Sequence, residues 1–394
     1  MRALVFSIVM RTARRYLASE IYRTTTGVLL VLLGLFTFFE MIDALDKLSD
    51  KFSFLSLLYM QALQFPTRLY DLLPIGLLIG AVIALAGLAQ RNELVILRVS
   101  GISSIRLLLM LWIVTIPVMI FATFLSEVAT PYAEKKTNEI SLTLLGKNHT
   151  DMNTGYWFRE PAREHHYRVI NIQRLNSRTS VSGLTIFEYD TQNNQLSRVL
   201  SATTGRLENG ELVLQSPTER LLSLDIAKTL TEEESQQLHQ ISTLQQHPEI
   251  RFKTSLTNDR LVATELQPDR MGTADLLNYI QYLKENHLQA NRHIVALWRK
   301  GSYPFTLLVM MTLAAPIGFV QSRKGGVGAK VFLGILIGIT FFMANQLALN
   351  VGMLNNLPPW LTALLPNIIA VILAFGALYL MERRRKPRTF IHAK

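Results

Sequence analysis

The chain contains no cysteine. A disulfide framework and a thiolate metal site are therefore excluded, and cysteine usage leaves the redox compartment undetermined. A nucleotide-hydrolysing motif is also missing. The nearest approach, Lys324-Gly-Gly-Val-Gly-Ala-Lys330, has alanine before its last lysine and valine after it. A phosphate loop needs Gly-Lys-Ser/Thr between a strand and a helix, and here a membrane span follows. There is no nucleophile elbow and no paired-histidine metal helix. The clearest polar residues deep in the apolar segments, Asn345 and Gln346, are amides and not catalytic on their own. No small-residue cleavage site follows the apolar run after Thr26, so that run reads as an uncleaved anchor, with Met10 as an alternative start. These absences argue against an enzyme.

What is present is apolar sequence, unevenly spread. Of 394 residues 49% are hydrophobic, the mean hydropathy is +0.24, and the formal net charge is +11 with a pI of about 9.8. The apolar residues concentrate at the two ends, and the middle is ordinary soluble sequence. A basic balance invites a nucleic-acid reading, but many arginines sit beside apolar runs instead of forming one patch. Membrane orientation explains them better.

Crossing the hydrocarbon takes about 20 apolar residues. Six segments qualify as expected spans, at roughly Thr24–Leu45, Leu72–Leu88, Leu107–Phe124, Ser302–Val320, Val331–Val351 and Trp360–Met381. Glu40 and Asp43 at the end of the first sit at headgroup level or face a polar cavity. Pro66, Arg68, Asp71 and Pro74 predict a broken or tilted entry to the second, and Pro316 predicts a kink in the fourth. Arg91, Arg98, Arg106, Arg323, Lys324, Lys330, the N-terminus and the tail Glu382-Arg-Arg-Arg-Lys fall on one side. The positive-inside bias puts both termini in the cytoplasm.

From about Lys135 to Gln267 the sequence turns β-rich, with runs at Tyr167-Arg-Val-Ile-Asn-Ile-Gln, Leu184-Thr-Ile-Phe-Glu-Tyr and Leu212-Val-Leu-Gln. Asn209-Gly210 between apolar residues predicts a tight hairpin, and the strand spacing predicts a sandwich or jelly roll outside the membrane. His165-His166 beside Glu164 reads as a solvated loop or strand end rather than a metal site, because neighbouring strand residues face opposite ways. Thr273 is expected to cap a helix burying Leu276, Leu277, Ile280 and Leu283. The predicted fold is thus an α-helical polytopic membrane protein, six spans as three plus three, with an inserted periplasmic β-jelly-roll domain. Its parts are 1–134, 135–270 and 271–394.

The chain is organised around Gln90-Arg-Asn-Glu-Leu-Val-Ile-Leu-Arg-Val-Ser-Gly101, between the second and third spans. Apolar residues at 94, 95 and 97 with charges at 91, 93 and 98 suit a short helix across the ends of the spans, able to enter a groove on a cytoplasmic partner. A plain turn with basic flanks also fits this stretch.

The same stretch, from Ala89, resembles the coupling segment of the lipopolysaccharide export permeases, the LptF/LptG family, and its Ala-Gln-Arg-x-Glu-Leu-Val wording is closer to the LptG branch. Arg15-Tyr16-Leu17, Glu127-x-x-x-Pro131, Pro268-Asp269 before Tyr279-x-x-Tyr282-Leu283, and Trp298-x-Lys300 with Pro304 are similar to that branch too. The resemblance covers almost the whole chain. It implies a half-transporter that pairs with an LptF-like permease subunit over a cytoplasmic LptB-like ATPase dimer that binds the ATP. An LptC-like single-span jelly-roll protein sits beside it, and lipopolysaccharide is drawn from the outer leaflet of the inner membrane to a periplasmic bridge. No cofactor of its own is implied.

By the same resemblance Arg91, Asn92, Glu93, Leu94 and Arg98 couple to the ATPase. Lys47, Arg68, Lys135 and Lys136 fall in or next to positions that meet lipid A phosphates. One departure is Glu40, where better-known members carry a lysine. Charge-assisted contacts suit a phosphorylated amphiphile, while plain snorkelling of these cations at the interface stays open. A non-transporting scaffold for the β-domain, or a permease for another lipid, are the remaining alternatives. Lipoprotein-release permeases place their large domain after the first span, which does not match.

Overall fold

The computed structural model describes residues 2–46, 48, 53–100, 102–145, 156–162, 165–175, 180–190, 195–208, 210–222, 242–254, 256, 267–286, 288–319, 327–355 and 357–383. These fold as two compact units, the first made of residues 1–46, 64–131 and 291–394, the second of 47–63 and 132–290.

The first unit is helical. Helix α1 runs Arg2–Leu45 and α2 Phe54–Gln90; short α3 is Glu93–Val99, and α4 is Ser104–Phe124. A π-helical turn, Leu125–Ala129, joins α4 to α5, Thr130–Leu145. After the β-domain come α6 (Thr273–Glu285, in the second unit), α7 (Asn291–Phe319), α8 (Val327–Leu354) and α9 (Pro359–Arg383). Among the described residues, five helices are long and apolar enough to cross a membrane: Arg11–Leu45, Phe54–Gln90, Ile105–Ser141, Gly328–Leu354 and Pro359–Leu380. The expected fourth span falls on α7, whose described part is not among these five; Val320 lies outside the described residues.

Of the broken or tilted entry expected for the second span, the break does not occur. Helix α2 passes through Pro66 and Pro74 unbroken over 37 residues, about 55 Å at 1.5 Å per residue. Neighbouring helices and side chains compensate for a missing proline N–H in a packed bundle.

Leu17, Ile21 and Leu29 of α1, Leu77, Leu78 and Leu85 of α2, Leu107 and Leu111 of α4, and Met310 and Met311 of α7 share one core. Lipid gives helices no hydrophobic reason to associate, so close backbone approach and polar links must supply it. Both are present. A Cβ on Gly80 would lie 2.5 Å from Thr25 Cα and 2.7 Å from its nitrogen, so α1 and α2 cross here almost backbone to backbone. Thr24 Oγ1 donates to Gly80 O at 2.8 Å across the crossing. The Tyr22 hydroxyl donates to Val114 O at 2.6 Å, and Trp112 Nε1 to Thr312 Oγ1 at 3.0 Å, tying α4 to α1 and α7.

The second unit is built on an eight-stranded antiparallel sheet. Its strands are β1 Tyr156–Pro161, β2 His166–Leu175, β3 Ser180–Asp190, β4 Gln195–Glu208, β5 Glu211–Gln215, β6 Thr218–Leu222, β7 Ser242–Gln246 and β8 Glu249–Lys253. The order is β1-β2-β3-β4-β5-β8, with β6 pairing β4 and β7. Strand alternation puts Phe158, Ile170, Ile172, Leu184, Ile186 and Leu200 into one core. Continuing that side of the sheet, a row of charges runs Glu160–Arg168–Glu188–Arg198–Glu219. Its contacts are 3.7, 3.5, 2.7 and 3.0 Å, and His247 closes it on Glu219 at 2.7 Å.

The expected hairpin is present: Glu208 pairs with Glu211, leaving two residues for the turn, and Gly210 has φ +79°. Asn209 lies outside the described residues. A Cβ at Gly210 meets open space, so the cost of a side chain there is torsional and not steric. Gly210→Val is expected to destabilise the β-domain by about 1–3 kcal/mol. Faster cleavage of the domain by limited proteolysis of the purified chain checks this; unchanged cleavage refutes it.

Two sequence expectations need correction. The cap of α6 is Gly272, with Thr273 already inside the helix, and the buried face is Leu276, Tyr279, Ile280, Tyr282 and Leu283. Leu277 is exposed, because it stands about 100° round from Leu276, off the stripe that Tyr279 and Ile280 continue. His165 adopts φ +60° just before β2, and the described residues contain no metal-binding cluster; Glu164 lies outside them.

Candidate functional site

The turn from α2 to α3 is made by Arg91 and Asn92. Arg91 N–H closes the last turn of α2 on Gly87 O at 3.0 Å. Asn92 then takes φ +60°, a left-handed conformation that asparagine tolerates better than most residues. Its carbonyl accepts the N–H groups of Val95 and Ile96, both at 3.1 Å, and so begins α3. Two residues thus separate α2 from α3. Ser103 ends the segment by capping α4, accepting Arg106 N–H at 3.3 Å.

Helix α3 has two unlike sides. Leu94 is 5% exposed and belongs to the bundle core, with Leu97 packed against it. On the other side Val95, Ile96 and Val99 are exposed, the last two at 62% and 84%. Val99 lies four residues from Val95 and three from Ile96, which joins the three into one exposed stripe. Glu93 sits at the first turn, where an acid suits the helix dipole. Its Oε1 contacts Arg91 Nε at 3.1 Å, while Arg91 Nη2 donates to Glu20 Oε1 of α1 at 2.7 Å. The hydrogen bond to Glu20, then the charge of Glu93, hold the Arg91 guanidinium above its ordinary pKa. Tyr16 of α1 stands beside the same Glu93 carboxylate. Arg98 lies in α3 by backbone.

The described cations expected to meet phosphate are held in separate ion pairs, each within its own unit. Arg68, 7% exposed, is paired with Glu40 and donates to Thr37 Oγ1 at 3.1 Å and Gln64 Oε1 at 2.7 Å. The departure at Glu40 thus has a structural partner: α1 supplies the anion that neutralises a buried arginine of α2. Lys135 and Lys136 belong to the second unit, where Lys135 pairs with Asp275 at 2.8 Å and Lys136 with Glu139 at 3.0 Å. Lys47 lies outside the described residues.

Residue-by-residue reading of the chain did not assign Glu20, nor did it join Glu127 to Lys300. Lys300 of α7, 6% exposed, meets Glu127 at 3.2 Å and donates to Ser126 O at 3.1 Å, both in the π turn. In that turn Thr130 N–H reaches back five residues to Leu125 O. The extra residue leaves a carbonyl that a lysine can take. Glu127-x-x-x-Pro131 and Trp298-x-Lys300 were the only sequence signals of it.

The geometry defines a multi-pass helical membrane protein with an antiparallel β-domain inserted between its helices and a short amphipathic helix at the reversal between two spans. The chain belongs to the family of lipopolysaccharide export system permeases LptF/LptG, whose match covers residues 15–383. It is 24% identical over 381 residues to the lipopolysaccharide export system permease protein LptG of Haemophilus influenzae, covering 96% of this chain and all of that protein. To the protein of the same name from Escherichia coli K12 it is 26% identical over 355 residues, 90% of this chain and 94% of that one.

Proposed function

We propose that this chain is one permease half of a lipopolysaccharide exporter in the bacterial inner membrane, with both termini cytoplasmic and the β-domain periplasmic. The observation that carries the proposal is α3, whose exposed Val95, Ile96 and Val99 stripe stands beside a braced acid at the reversal between two spans. An LptB-like ATPase dimer is the partner for that stripe. The family match over residues 15–383 supports the cargo. Helices α1 and α8 support an LptF-like second half, since both expose long apolar stripes, including Val31, Phe38 and Phe39 on α1 and Phe332, Phe342 and Met343 on α8. In a membrane such faces meet lipid or another chain. An LptC-like single-span protein completes the assembly, ATP binds on the ATPase, and no chemistry falls to this chain.

Lipopolysaccharide enters between the two halves, and Lys47, Arg68, Lys135 and Lys136 take its lipid A phosphates. The three described cations are each already held by a carboxylate. Phosphate binding is then an exchange of one anion for another, which lowers its net gain below that of a free cation. Each contact is expected to contribute about 1–3 kcal/mol. Single alanine variants are expected to weaken export modestly and the fourfold variant much more. Photocrosslinking from the four positions to lipids with and without lipid A phosphates is the test. Capture indifferent to phosphate would reduce these cations to interfacial anchors.

A further inference from the structure

The β-domain sheet has a second face, turned away from its core. Three cross-strand rows on β1, β2, β3, β4 and β6 lie there, fixed by the strand register. The first runs from Trp157 through the buried Asn171, then Thr185 and Ser201, to Thr218. The second runs from Arg159 through Phe187 to Arg220, and the third joins Tyr167 to Tyr189. Trp157, 52% exposed, stacks on Phe187 with centroids 6.1 Å apart and 15° between planes. Tyr167 stacks on Tyr189 at 5.0 Å and 10°. The Arg159 guanidinium lies 4.1 Å from the Tyr167 ring centroid.

Charge divides between the two faces. Glu160, Glu188 and Glu219 all point to the core side, where Arg168 and Arg198 neutralise them. The three rows of the opposite face hold two arginines and no carboxylate, and neither Arg159 nor Arg220 is ion-paired among the described residues. Five strands at about 4.8 Å separate Arg159 from Arg220 by about 19 Å. Flat stacked rings, a row of hydroxyls and two guanidinium groups with no carboxylate partner among the described residues form a composite surface across that distance. It does not suit a lipid tail, which needs no hydroxyls or cations. It does suit sugar rings bearing phosphate. The C–H face of a pyranose packs on an aromatic ring. Its hydroxyls meet Thr185, Ser201 and Thr218, and guanidinium forks donate to phosphate oxygens in bidentate fashion.

We propose that this face binds the phosphorylated oligosaccharide headgroup of a glycolipid, apart from the acyl chains and from the lipid A phosphates. The inference rests on the exporter reading above and names a second contact for the same cargo. The face guides the sugar portion as the lipid leaves the membrane.

The probe is the core oligosaccharide released from lipopolysaccharide by mild acid, phosphorylated and free of acyl chains, added to the purified full chain in detergent. Saturation-transfer NMR is expected to show transfer from the protein to sugar C–H protons. Trp157→Ala is expected to weaken binding at least about 5-fold, the scale of one lost aromatic contact, and Trp157→Phe to restore most of it. Arg159→Gln with Arg220→Gln is expected to erase the preference for the phosphorylated over the dephosphorylated probe. Absence of transfer to the wild-type chain, or equal transfer in Trp157→Ala, overturns the proposal. So does Trp157→Ala releasing a co-purified protein with sugar binding intact, which would make the face a protein interface. Intact lipopolysaccharide is the separate control. If the chain holds it but ignores the oligosaccharide, only the sheet-face site fails; if it holds neither, the exporter reading fails with it.

Discussion

Glu93→Arg is expected to abolish lipid-stimulated ATP hydrolysis by the reconstituted transporter while the chain still inserts and folds. The acid opens a helix whose inner side is anchored by Leu94 and whose outer side is the bare Val95, Ile96 and Val99 stripe. A basic residue here would face Arg91 at the position where Oε1 now lies 3.1 Å from Nε. It would also present like charge to any cationic groove on the ATPase. Truncating one partner of an interfacial charge pair costs about 2–5 kcal/mol, and charge reversal adds repulsion to that. At about 1.4 kcal/mol per factor of ten, affinity for the ATPase drops by about 30-fold or more. Glu93→Gln should lose less, since it removes attraction without adding repulsion. The internal control is Glu20→Gln, which frees Arg91 from α1 but leaves Glu93 in place. If Glu20→Gln impairs hydrolysis as severely as Glu93→Arg, the acid braces the turn and does not meet a partner. Normal hydrolysis by Glu93→Arg sinks the coupling role.

Much of this was legible in the residues. Short α3 was expected from the 94, 95, 97 pattern, and Glu93–Val99 is helical. The Asn209-Gly210 signal located a hairpin whose strands pair as such turns require. Both are local: a few neighbouring residues carry the whole instruction. The expectations that missed were those decided by packing and not by the local pattern. Pro66 and Pro74 read as helix breakers, yet α2 continues through both inside a packed bundle. Leu277 matched the apolar count of α6, but Tyr279 and Tyr282 are the residues that pack. A tyrosine ring buries more area than a leucine, so it decides which way the helix faces.

Pairings across elements were the least visible. Glu40 read as an acid at headgroup level or facing a polar cavity, and Arg68 as a candidate for lipid phosphate; only the crossing of α1 over α2 shows that each answers the other. Glu127 and Lys300 stood in two separate motifs 173 residues apart and meet at 3.2 Å. Charge compensation inside a membrane demands that such partners exist, but not which residues they are.

The second large effect concerns the crossing itself. Gly80→Leu is expected to prevent correct packing of α1 on α2, lowering membrane abundance and thermal stability sharply. A Cβ at this position would lie 2.5 Å from Thr25 Cα, and backbone cannot rotate away as a side chain would. The helices must separate, losing the Thr24 to Gly80 hydrogen bond and the close contacts around it. Overpacking a core costs about 1–3 kcal/mol and occasionally more; with backbone on one side, about 3 kcal/mol or more is expected. The consequence reaches the coupling helix, because Glu20, which holds Arg91, lies one turn from Thr24 on the same helix. Gly87→Leu is the matched control: same helix, same added volume, and nothing within 4 Å of its Cβ. Fluorescence-detected size exclusion with a thermal ramp should separate the two variants clearly. Equal behaviour of Gly80→Leu and Gly87→Leu would mean that α1 and α2 do not meet at Thr25 and Gly80, and the brace from Glu20 to Arg91 would lose its foundation.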